Sequence, residues 1–192
     1  DWTPACAAAY QALKNAMDFM ENEKQFHLGF LPTEQSNPLT KNLDREFAAS
    51  TVDGVKCLQR VDRNVLEMAK RIFRSKEFEK LVSDGMETLR SGGKIVFSGC
   101  GATGRLSILL ECMWRDCCFN TPAVSCYADQ VFSIMTGGDY ALVRSVEFFE
   151  DYQQFGRRQV QEMGMGAGDM LVAITEGGET SSVLGTVFEA LD

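Results

Sequence analysis

The chain has 192 residues, of which 45% are hydrophobic and 24% are charged, a composition typical of a soluble globular protein with one domain-sized core. Its formal net charge of −8 argues against a nucleic-acid-binding surface, because phosphate backbones select basic patches. No run of about 18 apolar residues occurs, so we predict no membrane-spanning segment and no membrane partner.

The cysteine and histidine content argues against a metal site. The chain has seven cysteines, without a CxxC pair, and a single histidine, His27. An odd cysteine count with Cys117 next to Cys118 does not fit a disulfide framework. We therefore expect reduced thiols, a cytoplasmic protein, and no metal or other cofactor.

The first half of the chain has helical patterns. Residues 4–29 are rich in alanine, leucine and methionine at helical spacing. Residues 30–44 contain two prolines and no period, which predicts an extended segment. Helical periodicity returns from residue 44 to about 76 and again over 77–93, where two glycines provide a stop.

In the second half, short β-rich runs alternate with helices. Strands are predicted at 94–99, 123–128 and 169–175, and helices at 102–116, 146–163 and 183–192. This alternation predicts an α/β fold, a three-layer αβα sandwich around a parallel sheet. Three strands leave an unfinished sheet, so we expect either a C-terminal truncation of the domain or a second chain covering the open edge.

The glycine-rich run GCGATG, residues 99–104, follows the first predicted strand and leads directly into a helix. Gly101 and Gly104 allow close backbone approach, Thr103 carries a hydroxyl, and a helix start favours anions. A phosphate site is one interpretation. The other is an ordinary strand–helix turn in which Thr103 caps the helix.

The glycines at 99, 101 and 104 also fit a dinucleotide-binding turn. Such a site needs an acidic residue at the end of the second strand, for which Asp129 is the candidate. A Walker loop is excluded, because no G-K-[ST] follows the glycines.

A second turn, TEGGETSS at residues 175–182, again places hydroxyls and glycines between a strand and a helix. The two turns together would clamp one small phosphorylated ligand. Glu176 and Glu179 would repel a phosphate unless they point away from it.

Four stretches add a more specific signal: TEQSNPLTKNLD, GCGATGRLSIL, GGDYALVRSVEFFED and LVAITEGGETSSVLG. Together they resemble the sugar isomerase (SIS) domain of the N-acetylmuramic acid 6-phosphate etherases and the related glucokinase regulatory proteins. The resemblance covers about residues 31–190. We therefore divide the chain into an N-terminal helical extension, residues 1–29, and a SIS-type phosphosugar-binding domain, residues 30–192.

The resemblance implies a five-stranded αβα sandwich, a homodimer and a phosphosugar ligand rather than a dinucleotide. Ala102 and Gly177 stand where the family usually has hydroxyl residues. Extended residues near the N-terminus are expected to wrap over the site or to act as a structural strap. The ligand-binding residues implied in this way are Gly101, Thr103, Gly104, Gly178, Thr180, Ser181, Glu34 and Asn37.

The family's etherases split a lactyl ether by elimination, which needs a base and an acid. The resemblance places Glu150 at one of their two carboxylates. Ungapped counting puts Met113 at the other, and Glu111 replaces it only with a gap or a helix bulge. Arg105 either touches the ligand or faces solvent.

Two functions follow from the resemblance: a carbon–oxygen lyase acting on an N-acetylated amino-sugar phosphate, or a regulatory module that senses a sugar phosphate without chemistry. An aldose–ketose isomerase is a third interpretation, but its proton shuttle would have to be His27, outside the matched region. The dinucleotide-binding domain is the fourth.

Overall fold

The computed structural model describes residues 3–24 and 27–192. The chain forms two compact units, Asp1–Ser36 and Asn37–Asp192. This boundary lies later in the chain than the predicted one after residue 29.

The first unit contains helix α1, Pro4–Asn22. Thr3 caps it, because its Oγ1 accepts a hydrogen bond of 3.3 Å from the Cys6 N–H. The predicted helix over 4–29 is wrong beyond Asn22, since Glu23 leaves helical geometry with a φ of −92° and a ψ of 64°. Positions 25 and 26 of that prediction lie outside the described residues. Short 3-10 turns follow at Leu28–Phe30 and Pro32–Glu34.

The second unit begins with three helices: α2 (Leu43–Ala49), α3 (Thr51–Ile72) and α4 (Lys76–Arg90). The predicted single helix over 44–76 is therefore wrong. Its break is at Ser50, which is extended and caps α3 by accepting from the Asp53 N–H at 3.4 Å.

The sheet follows, with its helices. The strands are β1 (Ile95–Gly99), β2 (Val131–Met135) and β3 (Met170–Ile174), and the helices are α5 (Gly101–Asn120), α6 (Tyr140–Val143), α7 (Gln153–Met163) and α8 (Ser181–Leu191). All pairs are parallel in the order β2–β1–β3. Within the described residues the sheet has three strands, against the five that the resemblance implies.

The predicted second strand over 123–128 is wrong. This segment forms a 3-10 helix, Pro122–Gln130, and the strand β2 comes after it. Contacts to α5 explain the difference: Trp114 Nε1 donates to the Tyr127 carbonyl at 3.0 Å, and Arg115 pairs with Asp129 at 2.9 Å. Tertiary contacts here override β-propensity.

Helices cover both faces of the sheet, which confirms the three-layer αβα sandwich. On one face Val96 and Ile134 are buried against Val160 of α7, and Thr186 of α8 bonds Ser98 at 3.0 Å. The alternate strand residues face α4 and α5, as expected from the two-residue period of a strand.

The contact between α7 and α8 is unusually close. A Cβ added at Gly156 of α7 would overlap the carbonyl of Ser182, and one added at Gly185 of α8 would overlap the carbonyl of Gln153. Both helices therefore need glycine where their backbones meet.

Candidate functional site

A cleft of about 320 Å³ opens at the carboxyl ends of β1 and β2. This is where ligands bind in open parallel sheets. Its polar lining consists of Cys100, Gly101, Arg105, Thr136, Arg144, Ser145, Glu147 and Glu150.

A larger cavity of about 720 Å³ lies near the start of β3 and the end of α8. Three of its acidic side chains are already in ion pairs: Asp169 with Lys94, and both Glu189 and Asp192 with Arg157. The candidate site is therefore the smaller cleft, whose charged side chains form no ion pair with any residue that the structure describes.

The glycines of the first turn have different roles. Gly101 has a φ of +54° and open space around its α-carbon, so its amide is at an accessible helix start. Gly104 is buried instead: an added Cβ would lie 2.8 Å from Met135 Cγ and 2.9 Å from the Gly99 carbonyl oxygen. Gly104 thus permits close packing of α5 on the sheet, as well as being a predicted ligand residue.

Cys100 is the N-cap residue of α5, and Thr103, the third residue of the helix, forms a capping box with it. Its Oγ1 accepts from the Cys100 N–H at 3.1 Å and donates to the Cys100 carbonyl at 2.8 Å. Thr103 therefore takes part in capping α5, with its hydroxyl proton donated to the Cys100 carbonyl, and its role as a ligand residue stays a prediction.

Replacing Thr103 with alanine should lower the free energy of unfolding by about 1 kcal/mol, because the cap at the start of α5 is lost. Thr103→Ser keeps the hydroxyl and should stay close to the wild type. Urea denaturation of both variants measures the difference. Equal stability of the alanine variant and the wild type would contradict the cap.

Glu150 reaches the cleft on a 3-10 turn, Phe149–Asp151, because the predicted helix over 146–163 begins only at Gln153. The turn is preceded by Phe148, whose φ of +69° is rare for a bulky residue. Left-handed backbone of this kind costs about 1–3 kcal/mol and occurs often at functional sites.

Cys100, a half-buried residue directly after β1, forms a hydrogen bond with Glu150. Its Sγ donates to Glu150 Oε2 at 3.5 Å. Burial raises the pKa of the Cys100 thiol, and the Glu150 charge adds to this, while the hydroxyls of Thr136 and Ser182 act in the opposite direction. The thiol is therefore protonated at neutral pH and acts as a donor to the carboxylate.

The second turn is closed by its own hydroxyls. The Thr175 and Thr180 hydroxyls are 3.2 Å apart, and the Gly178 N–H donates to Thr175 Oγ1 at 3.3 Å. Gly178, Thr180 and Ser181 do not line the cleft. The following residue, Ser182, does connect to it, since its Oγ lies 2.9 Å from Thr136 Oγ1.

The two glutamates of this turn differ in exposure. Glu176 is exposed. Glu179 is half-buried, with its carboxylate over Gly177, and its Oε2 has no hydrogen-bond partner among the described residues.

Glu111 lies apart from Glu150. It is ten residues into α5, about 15 Å along the helix from Gly101. Its carboxylate accepts from Ser133 Oγ at 2.6 Å and pairs with Arg115 at 3.1 Å. Glu111 does not line the cleft that contains Glu150, and its catalytic role stays a prediction.

The dinucleotide interpretation placed Asp129 at the end of the second strand, and this placement is wrong. Asp129 precedes β2, whose carboxyl end is followed by Thr136, and it pairs with Arg115. At the carboxyl end of β2, where a dinucleotide site needs an acidic residue, the structure therefore has Thr136.

The N-terminal ligand candidates have local contacts. Glu34 ends a 3-10 turn in the first unit, where its N–H donates to the Leu31 carbonyl at 3.0 Å. In the second unit, Asn37 Oδ1 accepts from the Leu39 N–H at 2.9 Å, which is a turn-forming contact.

Arg144, Glu147, Thr136 and Cys100 line the cleft but were missed as candidates from the sequence. The error in β2 hid Thr136, because the residue after a strand cannot be identified when the strand is misplaced. Arg144 and Glu147 lie within the stretch that carried the family resemblance, and that was the available signal.

Two further properties concern the described part of the chain. No helix there has the length and apolar character needed to cross a membrane. No group of three or more histidine, cysteine or acidic side chains there is arranged to hold a metal ion.

The layered fold and the glycine-rich turn after β1 are those of the SIS fold class. Residues 76–191 match the model of the glucokinase regulatory protein N-terminal SIS domain, and the chain belongs to this family.

Curated relatives cover most of the chain. It is 32% identical over 168 residues to N-acetylmuramic acid 6-phosphate etherase 1 of Bacillus licheniformis, covering 88% of this chain and 51% of that protein. It is 33% identical over 159 residues to the N-acetylmuramic acid 6-phosphate etherase of an Enterobacter species, covering 83% and 50% respectively. The corresponding Photorhabdus laumondii etherase is 29% identical over 163 residues, covering 85% and 50%. The chain thus spans about half the length of these relatives.

Proposed function

We propose that this domain binds a sugar phosphate in the cleft after β1 and β2, and that the protein cleaves the lactyl ether of N-acetylmuramic acid 6-phosphate. The relatives' names support the substrate. The observation that carries the proposal is the Glu150 carboxylate, held by a protonated Cys100 thiol in the same cleft as the start of α5.

The phosphate would bind at the first amides of α5. A helix start offers N–H groups without intrahelical partners and the positive end of its dipole. Arg105 lies one turn into the same helix and lines the cleft. In this proposal Thr103 shapes the turn, and the second turn contributes only through Ser182, whose Oγ lies 2.9 Å from Thr136 Oγ1.

Glu150 would be the general base. It removes the proton on the carbon next to the carbonyl of the open-chain sugar, and the electron pair forms a carbon–carbon double bond. The ether bond on the following carbon breaks, and its oxygen takes a proton as lactate leaves. Glu147 lines the same cleft and is the second carboxylate available as the acid.

A regulatory module that binds the sugar phosphate without chemistry is the second candidate. Two observations favour it. The Glu111 carboxylate already contacts Ser133 and Arg115, and an exposed methionine, Met113, is at the position where a carboxylate was expected. The matched family model also describes a regulatory protein's domain.

Location and assembly belong to the same proposal. All seven cysteines are free, which supports a reducing, cytoplasmic compartment. The homodimer is proposed from the family resemblance.

The functional test is to incubate the purified protein with N-acetylmuramic acid 6-phosphate and to measure lactate with a coupled dehydrogenase assay and binding by calorimetry. We expect binding with lactate release. Binding without release would leave the regulatory module, and no binding of any amino-sugar phosphate would contradict both candidates.

A further inference from the structure

Arg105 and Arg144 line the same cleft from different segments. Arg105 belongs to α5, and Arg144 is the residue that follows α6. Within residues 3–24 and 27–192, neither guanidinium forms an ion pair. Some arginines outside the cleft do form ion pairs: Arg115 pairs with Glu111, and Arg158 with Glu162. The cleft thus contains two cations that the protein's own acids do not neutralise by direct contact.

The acids of the cleft have other partners. Glu147 accepts from Ser145 Oγ at 2.5 Å, and Glu150 accepts from the Cys100 thiol at 3.5 Å. These contacts hold both carboxylates in place while the guanidinium groups keep their donors. A guanidinium matches a carboxylate or phosphate in bidentate geometry. The arrangement is suited to an anionic ligand with more than one charged group.

The positions of the two arginines suggest that each would bind a different charged group of the ligand. Arg105 is on the helix whose first amides would hold the phosphate, so it belongs with the phosphate. Arg144 comes from the connection between β2 and α7, which forms another part of the cleft wall.

We propose that Arg144 binds a second anionic group of the ligand, the carboxylate of a short acid joined to the sugar by an ether. This inference rests on the proposed function and extends it, because it assigns the residue that distinguishes a sugar acid phosphate from a plain amino-sugar phosphate.

The size of the cleft agrees with this ligand. Sites for small molecules usually enclose about 300–1,000 Å³, and this cleft of about 320 Å³ is at the lower end of that range. A cleft of this size suits a phosphorylated monosaccharide with a short side chain better than a nucleotide sugar.

The experiment compares two probe ligands, N-acetylmuramic acid 6-phosphate and N-acetylglucosamine 6-phosphate, which differ by the lactyl group. Calorimetric titrations use the Glu150→Gln protein, so that no turnover occurs. Adding Arg144→Gln should weaken binding of the muramic acid phosphate by roughly 10- to 100-fold, because a charge-assisted contact is lost. Binding of the glucosamine phosphate should change less than about twofold, since it has no carboxylate.

Two further variants sharpen this result. Arg144→Lys keeps the charge without the bidentate geometry and should recover part of the lost affinity. Arg158→Gln removes an exposed arginine of α7 that pairs with Glu162, and both affinities should stay unchanged.

Equal losses for both ligands, or no loss for either, would overturn the role of Arg144. If the protein without the Arg144 change binds both sugars equally, the inference fails while the proposed phosphosugar site stands. If that protein binds neither sugar, the proposed function fails, and the inference fails with it.

Discussion

Glu150→Gln should lower the rate of lactate release from N-acetylmuramic acid 6-phosphate by about 10²–10⁴-fold, the range for loss of a general acid or base. Glutamine keeps the size of the side chain and still accepts a hydrogen bond from the Cys100 thiol, but it cannot take up the proton. Sugar phosphate binding should therefore stay within a few-fold of the wild type, so that kcat falls more than KM changes.

The matched control is Glu162→Gln, which changes an exposed carboxylate of α7 that pairs with Arg158. It should leave lactate release unchanged. Full activity of the Glu150 variant would exclude Glu150 as the base. A parallel loss of binding would mean that Glu150 holds the sugar rather than reacting with it.

Gly156→Ala should give the largest loss of stability among single-methyl substitutions in this domain. The added Cβ would overlap the Ser182 carbonyl, so α7 and α8 must separate, and overpacking of this kind costs about 1–3 kcal/mol and sometimes more. The displaced α8 carries Ser182 and Thr186, which bond Thr136 and Ser98. We therefore expect weaker sugar phosphate binding together with lower stability.

Gly166→Ala is the matched control, because its added Cβ has no atom within 4 Å. This variant should be as stable as the wild type or more stable by a few tenths of a kcal/mol, since alanine restricts the unfolded chain. Denaturant unfolding of both variants measures the difference. A Gly156 variant as stable as the Gly166 variant would contradict the close α7–α8 contact.

Local patterns in the sequence were enough to predict the three-layer fold. β1 and β3 could be predicted because each is a short apolar run between strong turn signals, and Gly92 and Gly93 ended α4 as expected. β2 could not be found in the same way. The run at 123–128 also contains residues that favour strands, Val124 and Tyr127, and its helical turns are stabilised by contacts to Trp114 and Arg115, which precede their partners by 13 and 14 residues.

The candidate site was predictable in part. The turn after β1 and Glu150 came from motif spacing and the family resemblance, and both lie at the cleft. Glu111 was named as a catalytic residue only with a gap or a helix bulge, and that role stays a prediction. Its contact with Ser133 could not be foreseen, because Ser133 lies on a strand whose position was wrongly predicted. The pairing of Cys100 with Glu150 joins residues 50 positions apart and has no local signature.

The cleft takes Arg144, Glu147 and Glu150 from one connection, residues 137–152, in which no residue is fully buried. In the proposed function, these three ligand-facing residues therefore lie outside the buried core of the sandwich. If Arg144 binds the ligand's carboxylate as proposed, exchange of this single connection would change which sugar acid is recognised while the sandwich stayed the same.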